Sequence, residues 1–341
     1  MTEAPFFSDL AQGPEGGYAT WVKAKDGVRL RLGLWPADAA RGTMFLFPGR
    51  TEYIEKYGMT AKALTQAGLS VFAIDWRGQG LSDRLTSDPM AGHVHHFSDY
   101  QLDVAAMVDK AKALDLPKPW YLLAHSMGGC IGLRATMEGL SVDAVAFSAP
   151  MWGIKISAPM RPVAWSLSWS SRSMGLDHNY APGTIAESYV LNEPFETNKL
   201  TTDSGMYKYM INQLEAQPDL GLGGPSLRWL YESLNETRRL ASKPSPDLPC
   251  LVLLGSDEDI VEPSRIHDRV ARWPGAVLDL VEGGRHEVLM EVPQMRDHAI
   301  ACLIEFFKFS NEVTASETPV GFVCQGVQCA KPSRRRTQGN A

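Results

Sequence analysis

Several things are scarce in this chain of 341 residues, and each scarcity excludes a class of protein. Its five cysteines are an odd, scattered set, which argues against a disulfide framework and for a reducing compartment. No stretch approaches the ~18 consecutive apolar residues that a membrane helix requires. The opening residues, MTEAPFFSDLAQGPEGG, carry neither a basic start nor a continuous apolar segment. No secretory signal is therefore expected, and a cytoplasmic protein is. Positive charge is not in excess either. The formal net charge is −6, so nucleic acid is not an expected partner. A dinucleotide fingerprint is also missing, which leaves no cofactor to expect. What remains, at 44% hydrophobic and 21% charged residues, is an ordinary globular chain. It is long enough for one large α/β core, or for such a core with an inserted lobe.

The chain does have an alternation of short apolar runs and helical stretches. Thr20–Lys25 and Val28–Trp35 flank Asp26-Gly27 and read as a hairpin. Thr43–Phe47 is a continuous apolar run ended by Pro48-Gly49, the pattern of a buried strand. Ile54–Gln66 has helical spacing and stops at Gly68, and Leu69–Asp75 reads as the next strand. Phe97–Leu114 is helical, Trp120–Ala124 and Val142–Ser148 are strand-like, and then the alternation ceases across Met151–Leu240. It resumes with Cys250–Leu254, Ser264–Arg272, Val277–Val281 and Gln294–Phe309. Such alternation requires a mostly parallel sheet covered on both faces. The expected layout is a first core part in residues 1–150, a helical insertion in 151–245, a second core part in 246–310 and a polar tail in 311–341. Residues 1–18, with Pro5, Pro14 and three glycines, are expected to lie loosely on the surface.

The most informative stretch is Trp120–Gly129, WYLLAHSMGG. A buried strand there runs into a helix through Ala124-His125-Ser126-Met127-Gly128, close to the G-x-S-x-G of a nucleophile elbow. The positions two before and two after the serine face each other across the turn, so both must be small. A serine hydroxyl is a poor nucleophile unless a base takes its proton and an acid orients that base. In the elbow arrangement the acid and then the histidine follow the serine at the ends of later strands. Leu251–Leu254 empties into Gly255-Ser256-Asp257-Glu258-Asp259-Ile260-Val261, and Val277–Val281 into Glu282-Gly283-Gly284-Arg285-His286-Glu287. His286 is the expected base, and the acid lies among Asp257, Glu258 and Asp259. His93, His95 and His96 form a metal-like cluster, but no accompanying carboxylate is evident and no metal is expected there. His125 should point away at the turn, and His178, His267 and His298 read as surface or core residues.

With these motifs in register, the chain resembles the monoacylglycerol lipase and bacterial lysophospholipase branch of the α/β-hydrolases, also described as serine aminopeptidase-like hydrolases. The resemblance runs from about Thr43 to Phe309, through FPGRTEYIEKY, DWRGQGLSD, AHSMGG, LLGSDEDIV and GGRHE. It implies an α/β-hydrolase fold with an inserted helical cap. It also implies an acid three positions before the valine of the acid loop, which is Glu258. The oxyanion hole would use the backbone N–H of Met127 and one from the loop after Thr43–Phe47. By the same alignment the second donor is Arg50. Pro48 stands where this branch carries a histidine, so that side chain's role is missing while the backbone donor need not be.

The insertion is rich in Trp, Tyr and Met, including Trp165 and Trp169 at helical spacing after Pro162. Such surfaces hold a cap together and accommodate acyl chains. The resemblance and this composition together suggest esters of lysophospholipid or monoacylglycerol type, with transient contact to a membrane surface. An aminopeptidase on the same triad is the alternative, with Glu187, Glu193 and Glu196 available to hold a free amine. A non-catalytic ligand-binding relative is the third reading, and a complete triad argues against it. In the tail, Cys324 and Cys329 lack the companions of a zinc site. Arg334–Arg336 reads as part of a solvated end.

Overall fold

The structure is a computed structural model that describes residues 2–310. The chain runs β1 (Glu3–Ala4), α1 (Ser8–Ala11), β2 (Tyr18–Lys23), β3 (Arg29–Trp35) and β4 (Thr43–Phe47). It continues through α2 (Gly58–Gln66), β5 (Ser70–Asp75), α3 (Tyr100–Ala113), β6 (Trp120–His125), α4 (Ser126–Met137) and β7 (Ala144–Ser148). Four helices follow: α5 (Met160–Ser173), α6 (Tyr189–Asn192), α7 (Ser204–Ala216) and α8 (Leu227–Ala241). Then come β8 (Cys250–Gly255), α9 (Pro263–Ala271), β9 (Ala276–Val281) and α10 (Pro293–Phe309). The nine strands of the described residues form one sheet in the order β1-β2-β3-β5-β4-β6-β7-β8-β9. β1, β2, β3 and β5 pair antiparallel in succession, and every join from β5 to β9 is parallel.

The continuous apolar runs of the parallel strands follow from burial on both faces. Phe45 and Phe47 of β4 point with Phe72, Leu122 and Phe147 into one core layer, shared with Tyr100, Met107 and Ile131 of α3 and α4. Met44 and Leu46 point the other way, with Val71, Tyr121 and Leu123, onto Leu64 of α2 and Leu303 and Phe306 of α10. The period of two along each strand thus separates two core layers. Between β7 and β8 the described residues add no strand to this sheet. Cys130 and Cys250 are buried free thiols. The polar tail, with Cys324, Cys329 and Arg334–Arg336, lies outside the described residues.

The chain start corrects the expectation of a loose surface segment. Glu3 and Ala4 pair with Thr20 and Ala19, and Phe6 meets Trp35 edge-on at 5.6 Å. Ala11 is fully buried, and its carbonyl accepts the Tyr209 hydroxyl at 2.8 Å. The glycines there serve close approach: a Cβ on Gly17 would lie 2.6 Å from the Trp35 ring.

Arg31 ties this antiparallel wing to the turns that lead into the site. Its fully buried guanidinium donates to both Glu55 oxygens at 2.8 and 2.7 Å and to Asp75 Oδ2 at 2.7 Å. Asp75 in turn accepts the backbone N–H of Ile54 and of Leu81. Removing one partner of a buried ion pair strands the others. Arg31→Met is therefore expected to lower stability by about 3–5 kcal/mol, read as the shift of the urea unfolding midpoint.

Candidate active site

β6 ends and α4 begins at Ser126, with no residue between them. Ser126 adopts φ +48, a left-handed conformation that costs a non-glycine residue energy and is kept only where the surroundings dictate it. The surroundings do. A Cβ on Gly128 would lie 2.2 Å from the carbonyl oxygen of Phe47, and one on Gly129 would lie 2.6 Å from Pro150. Only glycine lets α4 start this close to the end of β4. Ala124 at the other small position is accommodated with its side chain buried.

His286 reaches Ser126 from the loop after β9. Its Nε2 lies 2.9 Å from Ser126 Oγ, and its Nδ1 lies 2.7 Å from Glu258 Oε2. Glu258 is held from behind, its other oxygen accepting the N–H groups of Ile260 at 2.6 Å and Val261 at 3.0 Å. Burial pushes the Glu258 carboxyl up, but His286 and these amides outweigh it and hold it below the usual carboxylate range. The carboxylate form thus persists at neutral pH, and is lost only as pH falls through that lowered value.

The structure separates the three acid candidates. Glu258 faces the imidazole, Asp257 bonds the Ser256 hydroxyl at 3.2 Å, and Asp259 faces out. Asp259 pairs with Lys155 and Lys199, both from the insertion, and their hydrogen bonds hold it down at about 2.

Met127 is the second residue of α4, so its N–H lies in the first helical turn and has no intrahelical acceptor. Arg50 follows β4 through Pro48 and Gly49. Its guanidinium donates to the carbonyl of Gly223 at 2.9 Å and stacks over Trp229, and burial pushes it down to about 10.

A cavity of about 300 Å³ opens over Ser126 and His286. Tyr189, Val190, Leu200, Met210 and Leu214 from the insertion line it, with Tyr53 and Ile260 from the core. This is the small end of the ~300–1,000 Å³ typical of ligand pockets.

Sequence reasoning missed what lies beneath the cavity. His125 does point away from Ser126, its Nδ1 on the Ser148 carbonyl at 3.0 Å, but it is not inert. Its Nε2 faces Glu287 at 3.3 Å and Glu52 at 3.6 Å, and its ring centroid lies 4.8 Å from that of His286. Lys56 Nζ pairs with Glu287 at 2.6 Å and also with Glu52, which accepts from Tyr57 and from Gly49 N–H. Burial pushes His125 down, but Glu287 and Glu52 outweigh it and hold it above its ordinary value. Burial likewise pushes Glu287 up, and His125 and Lys56 hold it well below. Donor atoms of Glu52, His125 and Glu287 lie within 4.8 Å of one another, as for a bound cation. Lys56 already stands on both carboxylates, so the chain supplies that charge itself. The available signal was adjacency, since these residues flank Arg50, Ser126 and His286.

Three further histidines have partners of their own. His93 is buried against Ser226 at 3.0 Å, the N-cap of α8, and burial followed by His95 pushes it down to about 4. His96 turns outward beside Glu232. His298 pairs with Asp279 at 2.8 Å.

A sheet of this order, with a serine at a strained strand-to-helix turn and a carboxylate and histidine in the loops after later strands, is an α/β-hydrolase. Residues 38–293 match the family described as serine aminopeptidase, S33. Lysophospholipase L2 of Escherichia coli is 33% identical over 86% of this chain and 88% of that protein. A probable lysophospholipase L2 of Haemophilus influenzae is 29% identical over 84% and 90%. The chain belongs to this lysophospholipase and monoacylglycerol lipase-like family of α/β-hydrolases. The crystal structure of a soluble variant of monoglyceride lipase from Saccharomyces cerevisiae, with a substrate analog, superimposes with a TM-score of 0.68. It is 19% identical and covers 85% of this chain and 94% of that one.

The outward pairing of Asp259 carries an expected outcome. Asp259→Asn releases two exposed lysines and leaves the Glu258–His286 contact in place. Turnover of an activated ester should stay within roughly tenfold of the parent, as for a charge that tunes its surroundings. A loss on the order of 10³-fold would move the acid role to Asp259.

Proposed function

We propose that this ester hydrolase cleaves lipid-like carboxylic esters, of lysophospholipid or monoacylglycerol type, through a Ser126–His286–Glu258 triad and an acyl-enzyme. The unbroken hydrogen-bonded chain from Glu258 through His286 to Ser126, at the floor of a largely apolar cavity, carries the reading. His286 Nε2 takes the Ser126 proton as Oγ bonds to the ester carbonyl carbon. The resulting oxyanion is received by the N–H groups of Arg50 and Met127. Nε2 then protonates the leaving alcohol as the C–O bond breaks, leaving Ser126 acylated. Water, deprotonated by the same nitrogen, releases the fatty acid and restores the serine. Glu258 fixes the tautomer that aims Nε2 at Ser126 and stabilises the imidazolium between steps.

The relatives named lysophospholipase and monoglyceride lipase support a lipid ester as substrate. In this reading α5–α8 and their loops form the cap, and its apolar lining receives the acyl chain. The aminopeptidase alternative needs an unpaired carboxylate in the cavity to hold an amine. Glu52 and Glu287 line the cavity, but both are committed to Lys56.

The triad assignment predicts that Ser126→Ala abolishes labelling by a fluorophosphonate probe. His286→Ala should lower kcat on the order of 10⁴-fold and Glu258→Gln on the order of 10³–10⁴-fold, with KM little changed. Labelling that persists without Ser126 would reject the assignment. A preference rising with acyl length across p-nitrophenyl esters would support the lipid class. Faster cleavage of an aminoacyl arylamide would favour the aminopeptidase.

The cap also exposes Met160, Val163, Leu167, Trp169, Met174 and Leu176 on and just after α5. Contiguous exposed apolar side chains suit a lipid surface, where such a substrate resides. Trp169→Ser with Met174→Ser should weaken cosedimentation with anionic phospholipid vesicles severalfold and leave turnover of a short soluble ester unchanged. Equal cosedimentation of both proteins would remove membrane contact from the reading.

A further inference from the structure

Three segments converge on one buried cluster, and each is bonded covalently to a residue of the proposed site. Glu52 lies two residues after Arg50 and accepts the Gly49 N–H of the same turn. His125 directly precedes Ser126, and Glu287 directly follows His286. Lys56, in the 3-10 turn Ile54–Tyr57, joins the two carboxylates, and all four side chains are at least nine-tenths buried. Desolvating so many charges is costly unless each is paired, and they are paired only with one another and with near neighbours.

We propose that Glu52, Lys56, His125 and Glu287 form a charge-balanced positioning hub, which fixes the nucleophile, oxyanion and histidine loops relative to one another and sets the electrostatic environment of His286. This rests on the triad reading above. None of the four touches the reacting atoms: Glu52, His125 and Glu287 act through the site residues one or two positions away, and Lys56 through the two carboxylates it bridges. Two carboxylates balance one ammonium and one imidazolium, so the wall beside His286 is neutral overall while His125 is protonated. As His286 takes the serine proton it becomes a cation 4.8 Å, ring to ring, from His125. The Glu287 carboxylate, next in sequence, offsets that repulsion.

The titratable groups around His286 come from every element packed on it. They are Glu258 after β8, His125 at the end of β6, Glu52, Lys56 and Tyr57 after β4, and Glu287 on its own loop. Lys199 approaches through its carbonyl, which accepts the His286 N–H at 3.5 Å, while its ammonium is paired to Asp259. The Arg285 guanidinium, beside His286 in sequence, donates to the carbonyls of Asn198 and Thr201, and that of Arg50 donates to the carbonyl of Gly223. The hub places both signs of charge beside His286, so removing a cation and removing an anion have opposite consequences.

The test is the pH profile of kcat/KM on a short p-nitrophenyl ester, whose acidic limb reports the base of the free enzyme. Lys56→Met makes the wall more negative and should move that limb to higher pH. Glu287→Gln makes it more positive and should move the limb to lower pH, each by roughly half a unit to one unit. Lys56→Arg, which keeps the charge, should restore the parent limb. Should Lys56→Met fail to fold by circular dichroism, His125→Gln removes the other cation and should shift the limb in the same direction. Loss of packing alone lowers kcat without moving limbs in opposite directions. Limbs that stay put or move the same way, in a protein whose Ser126→Ala variant is inactive, would overturn the hub and leave the triad standing. Activity persisting in Ser126→Ala would instead overturn the triad.

Discussion

The arrangement depends on one close approach: the first turn of α4 against the end of β4. At Gly128 there is room for a hydrogen atom and nothing larger before the Phe47 carbonyl. That contact brings the strained Ser126 beside the Pro48-Gly49-Arg50 turn, so the proposed nucleophile and the loop proposed to receive negative charge are set by a single packing event. The strain at φ +48 is held by the parallel pairing of β4 with β6 and of β6 with β7 on either side. A serine in this geometry presents its hydroxyl beyond the sheet edge, where a histidine arriving from the far strands can meet it.

The insertion is fastened to the core by several independent contacts. Arg84 donates to the carbonyls of Gly78 and Gly80 in the core and of Asp219 and Gly221 in the insertion. His93 bonds the Ser226 that caps α8, and Gly92 pairs with Pro225. Glu291 binds both Thr202 and the backbone of Arg285, which links the histidine loop to the start of α7. Most of these contacts are part-buried and run to backbone groups, so they set position without depending on weak surface charge pairs.

Much of this was legible in the sequence. The strands of the parallel sheet announce themselves because burial on both faces leaves continuous apolar runs such as Thr43–Phe47 and Leu251–Leu254. The meeting of Ser126 and His286 was legible because elbow chemistry restricts both the residues around the serine and the order of its partners. The acid was not separable by composition, since Asp257, Glu258 and Asp259 are chemically alike. The family resemblance pointed to Glu258, and the backbone of the loop gives each side chain its direction. The chain start was misread because Pro5 and the glycines Gly13 and Gly17 look like loop residues. The two glycines serve close packing against Trp35 and the Pro5 carbonyl accepts from Arg31 at 3.0 Å, both tertiary facts. The Glu52–Lys56–His125–Glu287 cluster was illegible for a related reason: its members are 235 positions apart at the extremes and meet only once the sheet has formed.

Arg50 ties the turn after β4 to the insertion. Its backbone belongs to the turn after β4, while its guanidinium grips the Gly223 carbonyl on the segment leading into α8. The side chain and the backbone of one residue thus answer to different parts of the chain, the guanidinium to the insertion and the amide to the turn proposed to meet the developing charge. The insertion in this way braces the turn from outside, as a guy rope braces a mast.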